Sequence, residues 1–304
     1  MNKKLFLIIP LTLLVTGCNA GKKTSSASFS SYSSEETSSE DPSSGTTSQT
    51  STTSIDPGDY YSGIDDSKTG QSLKTDLHNL IKITQAGWSY NGLWTAYQTT
   101  DKRDNGTVWD IYSDQTQYKF GTNQCGNYSV EGDCYNREHM IPQSVFNKNS
   151  PMVSDIHHVY PSDGKVNGMR SDYPHGNVTS ASYTSKDGYK LGTGPATGSQ
   201  KVFEPKDVYK GDIARIYFYF VTCYQDKISS WSFEAFNGND LATTYLEIYL
   251  KWSLDDPVSN KETVRNQAAY VGQKNRNPFV DHPEYACKIW GDKSDTTRSL
   301  CGLN

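Results

Sequence analysis

No apolar run in the 304-residue sequence reaches the roughly 20 residues that a membrane-crossing helix needs. A multi-span membrane protein is therefore excluded. The six cysteines include no Cys-x-x-Cys, which argues against thiolate zinc sites and thioredoxin-like chemistry. A His-Glu-x-x-His helix signature is also missing. There is no excess of basic residues: the formal charge is −5. That excludes a broadly basic nucleic-acid-binding surface but leaves a local basic groove open. Apolar residues make up only 34%, yet aromatics reach 12% with 21 Tyr. So aromatic a chain should build a core, so its polarity must be concentrated in one region. No internal repeat is visible.

That region is N-terminal. Lys3 and Lys4 precede a short apolar stretch, Leu5 to Val15, the pattern of a secretory signal rather than a spanning helix. It ends in Leu14-Val15-Thr16-Gly17-Cys18, which resembles the bacterial lipobox. The resemblance implies lipidation of Cys18 and anchoring on the outer face of a membrane. Between Thr24 and Ser54, 21 of 31 residues are Ser or Thr. Such a segment cannot bury enough apolar surface to offset its ordering entropy, and a disordered tether is expected. The expected organisation is a signal peptide over 1–18, a tether over 19–59 and a catalytic domain over 60–304. Beyond Cys18, Cys125/Cys134 and Cys287/Cys301 are the close pairs, some of which an exported chain could join. Cys223 sits in an apolar helical pattern and reads as buried and free.

Within the domain, Leu73, Leu77, Leu80 and Ile81 have helical spacing, with Ser72 as candidate N-cap. Val108 to Tyr112 reads as a strand after a turn at Asn105-Gly106, and Tyr118 to Thr122 as a second short strand. Residues 171–200 are rich in Gly, Ser, Thr and Tyr and read as loops with a hairpin. Three helices follow: Ile213 to Tyr224, strongly apolar; Leu241 to Leu254; and Glu262 to Val271. Strands in the first half and helices in the second predict a single α+β domain.

Three of the six histidines fall within twenty residues, His139 to His158. Around them lie Arg137-Glu138-His139, Ser154-Asp155-Ile156-His157-His158 and Lys165-Val166-Asn167-Gly168-Met169-Arg170. Hydrolysis of a phosphodiester needs a base for water, a cation for the phosphate charge and donors that hold the phosphate. Histidine suits the base because its pKa lies near neutrality. Carboxylate and amide oxygens are hard ligands for Mg²⁺ or Ca²⁺. Arginine grips phosphate through two parallel hydrogen bonds.

With those residues in view, the chain resembles the endonuclease I family, secreted or periplasmic bacterial nucleases with a His-Me (ββα-metal) finger. The motifs are Arg137 to Ser144 and Ser154 to Ser171, with Asp104 to Ser113 before them and Lys210 to Tyr219 and Asn275 to Glu284 after them. The resemblance covers roughly residues 60–292 and implies an α+β domain built around that finger. It implies His139 as general base, and Glu138 and Asn167 as ligands of one divalent cation, Mg²⁺ first with Ca²⁺ or Mn²⁺ as alternatives. It implies largely non-specific cleavage of DNA, with RNA as a second substrate, and 5′-phosphate and 3′-hydroxyl products. Arg170, Arg215 and Arg276 are candidate phosphate clamps, Asp155 and His157 candidate supports, and His158 reads as structural. Ser162 or Asp163 is a candidate cap for the helix bearing Asn167. Asn275 and Asn277 fit equally as turn formers before Pro278. No obligate protein partner is expected.

Adjacent strand residues point to opposite faces. Glu138 and His139 should then serve one phosphate only if the strand is bent, bulged or ending there. Two other readings stand beside the nuclease: a zinc hydrolase ligated by His139, His157 and His158, and a surface lipoprotein that binds DNA or a host component on an inactive nuclease fold.

Overall fold

The structure, a computed structural model, describes residues 57–195 and 200–303. The signal segment, Cys18 and the Ser/Thr-rich stretch up to residue 56 lie outside the described residues. Ten helices and seven strands are formed within them. In order they are α1 (Pro57–Tyr60), α2 (Gly70–Ile81), α3 (Leu93–Thr100), β1 (Tyr135–His139), β2 (Val159–Asp163), α4 (Gly164–Arg170), β3 (Ser180–Thr184), β4 (Lys190–Thr193) and β5 (Lys201–Glu204). There follow α5 (Lys210–Cys223), β6 (Phe236–Asn237), β7 (Asp240–Leu241), α6 (Thr243–Asp255), α7 (Asn260–Gln273), α8 (Pro278–Asp281), α9 (Tyr285–Trp290) and α10 (Asp295–Leu300). Mixed helices and small sheets make this an α+β arrangement, and none of these helices is long and apolar enough to cross a membrane.

The apolar run from Ile213 to Tyr224 becomes α5, buried on all sides. It packs against α2, α6 and α8, and Phe218 stacks on Trp290 with ring centroids 4.9 Å apart. A second, smaller core gathers Leu93, Tyr97, Val108, Tyr118, Tyr135, Ile156, Val159 and Ala269. The β1–β2 hairpin lies between the two. Tyr135 and Val159 enter the small core, while Met140 and Tyr160 enter the large one. Both faces of this two-stranded sheet are thus buried, which is what holds so short a hairpin in place.

The pairing is antiparallel and regular, with Tyr135 opposite Asp163, Glu138 opposite Tyr160 and His139 opposite Val159. Helix α4 follows β2 directly. Its cap is Asp163, whose carboxylate accepts from Lys165 N at 2.8 Å and Val166 N at 2.9 Å. Ser162 Oγ, the alternative, is buried and makes no hydrogen bond. The disulfides join Cys125 to Cys134 and Cys287 to Cys301, and Cys223 is buried and free.

Several local expectations need correction. Val108 to Tyr112 is not a strand: the turn at Asn105-Gly106 forms, but only the bridges Lys102–Val108 and Asp110–Ser113 follow. Asp110 accounts for this by accepting from Tyr112 N at 2.8 Å and Asp163 N at 3.0 Å, which curls the chain around the hairpin. Tyr118 to Thr122 is loop, with the Tyr118 hydroxyl bonded to Asp163. Every regular strand therefore lies after residue 134. Helix α2 starts two residues before Ser72, and Thr69 at its N-cap makes no side-chain cap bond. Residues 57–59, assigned to the tether, fall in helix α1.

Candidate active site

Strand β1, helix α4 and the loops at residues 90, 125–126 and 142–144 enclose a cleft of about 440 Å³. Glu138, His139 and Asn167 all line it. The strand-geometry conflict is resolved because β1 ends at His139. Glu138 turns towards α4 and His139 towards the loop at Val153, yet both border the same opening.

Glu138 is 1% exposed. Its Oε1 accepts from Arg170 Nη1 at 2.8 Å and from the Tyr112 hydroxyl at 2.9 Å. Neither contact occupies Oε2, which leaves that oxygen available to a ligand. Burial pushes the carboxyl up to about 7, against the opposing pull of Arg170 and Tyr112.

His139 is 4% exposed, with Nε2 3.0 Å from the Val153 carbonyl. A carbonyl can only accept, so Nε2 carries the proton and Nδ1 keeps its lone pair. Burial, then the neighbouring His158, pushes the imidazole down to about 3, against the pull of the Val153 carbonyl. It is therefore neutral throughout the physiological range. The ring sits between Tyr90, at 5.8 Å, and Phe146, at 6.2 Å.

Asn167 donates through Nδ2 to Asn136 Oδ1 at 2.7 Å and lies 3.5 Å from the Arg137 carbonyl. Because that carbonyl only accepts, the nitrogen faces the strand and Oδ1 is left for the cleft. Two hard oxygens, Glu138 Oε2 and Asn167 Oδ1, thus border one opening. Among the described residues no group of three or more His, Cys, Asp or Glu is gathered as a metal cage.

The three arginines expected to clamp phosphate are structural braces. Arg170 is 1% exposed and bonds Glu138, the carbonyls of His139 and Met140 at 2.7 and 2.6 Å, and the Tyr173 carbonyl at 2.9 Å. It ties the end of α4 to the end of β1. Arg215 pairs with both oxygens of Glu262, at 2.6 and 2.8 Å. Arg276 grips Asp281 in the same way, at 2.7 and 2.8 Å. Neither Arg215 nor Arg276 lines the cleft.

Asp155 is a fully buried node, bonded by Tyr219, Tyr224, Gln273 and the His157 amide. His157 Nε2 lies 3.0 Å from the Asn275 carbonyl, and burial pushes its ring down to about 4. His158 Nε2 lies 2.6 Å from the Met152 carbonyl. Both rings are therefore engaged with backbone, and the zinc arrangement is not built. Asn277 caps α8, while Asn275 bonds the Ile81 carbonyl inside the core.

Sequence reasoning missed four residues here. Tyr112 holds Glu138 and is bonded in turn to His175 Nε2 at 2.8 Å, whose other nitrogen meets Tyr217 at 3.1 Å. Asn136 orients Asn167. Nothing in local spacing announces the Tyr112–His175 contact, since it spans 63 residues. Asn136 was more accessible: on a strand, residue i−2 from Glu138 shares its face.

A family description, Endonuclease I, matches residues 69–284 of this chain. An extracellular ribonuclease of Bacillus subtilis (strain 168) is 34% identical over 244 residues, 77% of this chain and 79% of that protein. An extracellular ribonuclease of Bacillus amyloliquefaciens is 34% identical over 254 residues, 81% of this chain and 82% of that protein. A periplasmic deoxyribonuclease of Aeromonas hydrophila is 28% identical over 150 residues, 48% of this chain and 53% of that protein.

Proposed function

The chain belongs to the Endonuclease I family, and from that premise we propose that it is an exported nuclease, dependent on a divalent cation, that hydrolyses phosphodiester bonds of RNA and DNA without sequence preference. The convergence of Glu138, His139 and Asn167 on one cleft, with His139 Nδ1 unprotonated, carries this reading. The order β1–β2–α4, with the base on the first strand and the amide on the helix, supports reading this unit as the ββα finger. RNA enters as a full substrate because the ribonuclease relatives match along more than three quarters of both chains. DNA enters through the shorter match to the deoxyribonuclease.

His139 Nδ1 accepts a proton from water, and the water attacks phosphorus in line. The Val153 carbonyl holds Nε2–H throughout, so the ring cannot turn and present the wrong nitrogen. Arg170 and Tyr112 fix Glu138, and Asn136 fixes Asn167, so both oxygens are positioned before substrate arrives. The donor set fits Mg²⁺, Ca²⁺ or Mn²⁺, with water and phosphate completing the coordination. Such an ion, held by Glu138 and Asn167, would offset charge on the phosphate and the departing 3′-oxygen. Cleavage of the 3′-side bond leaves 5′-phosphate and 3′-hydroxyl ends.

The signal pattern and lipobox-like ending support export with a lipid at Cys18, and the Ser/Thr-rich stretch would hold the domain away from the membrane. The test incubates the full chain with supercoiled plasmid and with structured RNA, in Mg²⁺, Ca²⁺, Mn²⁺ and EDTA. Cation-dependent cleavage of both is expected. Cleavage undiminished in EDTA would overturn the cation requirement, and a folded protein that cuts neither substrate would overturn the nuclease.

A further inference from the structure

The clamps expected from sequence are all engaged elsewhere, which leaves the substrate phosphate without a basic partner. Seven arginines occur in the chain. Five of them, Arg170, Arg215, Arg265, Arg276 and Arg298, are paired with carboxylates. Arg103 donates to the carbonyls of Ser113, Asp114 and Thr116 and does not line the cleft. Arg137 differs from all of these. It lines the cleft, as Arg170 does, but unlike Arg170 it has no carboxylate paired with it among the described residues.

Its guanidinium lies flat over the Tyr90 ring, 3.5 Å from the centroid, with Trp94 at 4.4 Å. Among the described residues only Nη1 is engaged, with the Tyr90 carbonyl at 2.7 Å and Asn91 Oδ1 at 3.3 Å. A guanidinium carries five N–H groups, so those on Nε and Nη2 are left to a ligand. Residues i and i+2 of a strand share a face, so Arg137 lies on the His139 side of β1. Tyr90 lies between the two, with its ring centroid 5.8 Å from that of His139. The loop carrying Tyr90 is itself fixed, because Trp88 covers Gly272 on α7 with no room for a side chain.

We propose that Arg137, held flat by Tyr90, is the residue that grips the substrate phosphate next to His139. The inference rests on the nuclease reading above. It accounts for how a chain of net charge −5 holds a polyanion: one uncompensated, preoriented cation at the cleft replaces a basic surface. Planar stacking matters as much as charge, since it presents two parallel donors to two phosphate oxygens at little entropic cost.

The test compares full-length chains carrying His139→Ala alone or with Arg137→Met, binding short fluorescent single-stranded RNA and DNA across a salt series. Arg137→Met should weaken binding about 10- to 100-fold, the loss expected for a charge-assisted hydrogen bond. It should also flatten log K against log salt by about 0.7, one phosphate on a single strand. In the His139-intact chain the same variant should lower kcat/KM by a similar factor. Arg137→Lys should keep the salt slope yet recover only part of kcat/KM. If the Met variant does not fold, the Lys variant decides: full kcat/KM there would overturn the planar clamp. A folded Arg137→Met chain with unchanged slope and unchanged kcat/KM would overturn the inference. Failure of the folded, unaltered chain to cut either substrate would instead overturn the nuclease reading, and this inference with it.

Discussion

Replacing Arg170 with methionine separates a brace from a substrate clamp. The guanidinium is buried, as is its partner Glu138, and beyond that pair it makes three hydrogen bonds to the carbonyls of His139, Met140 and Tyr173. Breaking a buried pair from one side costs about 3–5 kcal/mol, a large part of the 5–15 kcal/mol, roughly, that holds a typical domain together. The cost should depend on pH, and its sign follows from Glu138. Burial raises that carboxyl from its ordinary value to about 7, so the folded state holds a proton that the unfolded state has released. This raised pKa erodes stability as pH rises from the unfolded value to about 7. Removing Arg170 takes away a positive neighbour and raises the carboxyl further, by about 1–3 units. The variant should therefore lose an extra 1–2 kcal/mol, roughly, at pH 8.5 relative to pH 5.5, since pH 8.5 lies only 1.5 units above the starting value of about 7. Urea unfolding at the two pH values measures this, and oligonucleotide binding across a salt series completes the test. Unchanged stability together with a fallen salt slope would mean that Arg170 meets phosphate and is not a brace.

The remaining expectations are narrower. Asn136→Ala should release the Asn167 amide and lower cation affinity and cleavage together, by about 10- to 100-fold, read by calorimetric titration with Mn²⁺ beside the rate. Protons compete with the cation for Glu138, so apparent cation affinity should fall as pH drops below about 7. Titration at pH 6 and 8 would show it, and equal affinities would contradict it. Gly168→Ala should cost about 1–3 kcal/mol, because the added Cβ meets the Tyr128 hydroxyl. Tyr128→Ala should relieve that cost in the double variant, as thermal unfolding of the four proteins would report.

That Glu138, His139 and Asn167 border one cleft was legible in the sequence because the unit carrying them is local. Glu138 and His139 are neighbours, and Asn167 follows after one strand, one loop and the start of a helix. The large apolar helix α5 was legible too, since an apolar run flanked by polar sequence has few other solutions. Long-range pairing was not legible. Nothing near Arg215 announces Glu262, 47 residues on, so charge alone suggested substrate contact. The lost strand at Val108 to Tyr112 has the same origin. Its β-rich composition reflects burial in two cores, while Asp110, bonded to Asp163 N, decides the backbone path. Arg137 was overlooked for the opposite reason: it stood inside the motif beside the base, and only the Tyr90 stack shows its free face.

The most direct test of the account is the cleavage rate of His139→Ala beside the unaltered chain, with both at saturating Mg²⁺ and both shown folded by circular dichroism. Loss of cleavage with oligonucleotide binding retained is the predicted result. Cleavage at the original rate would contradict the assignment of His139 as the base.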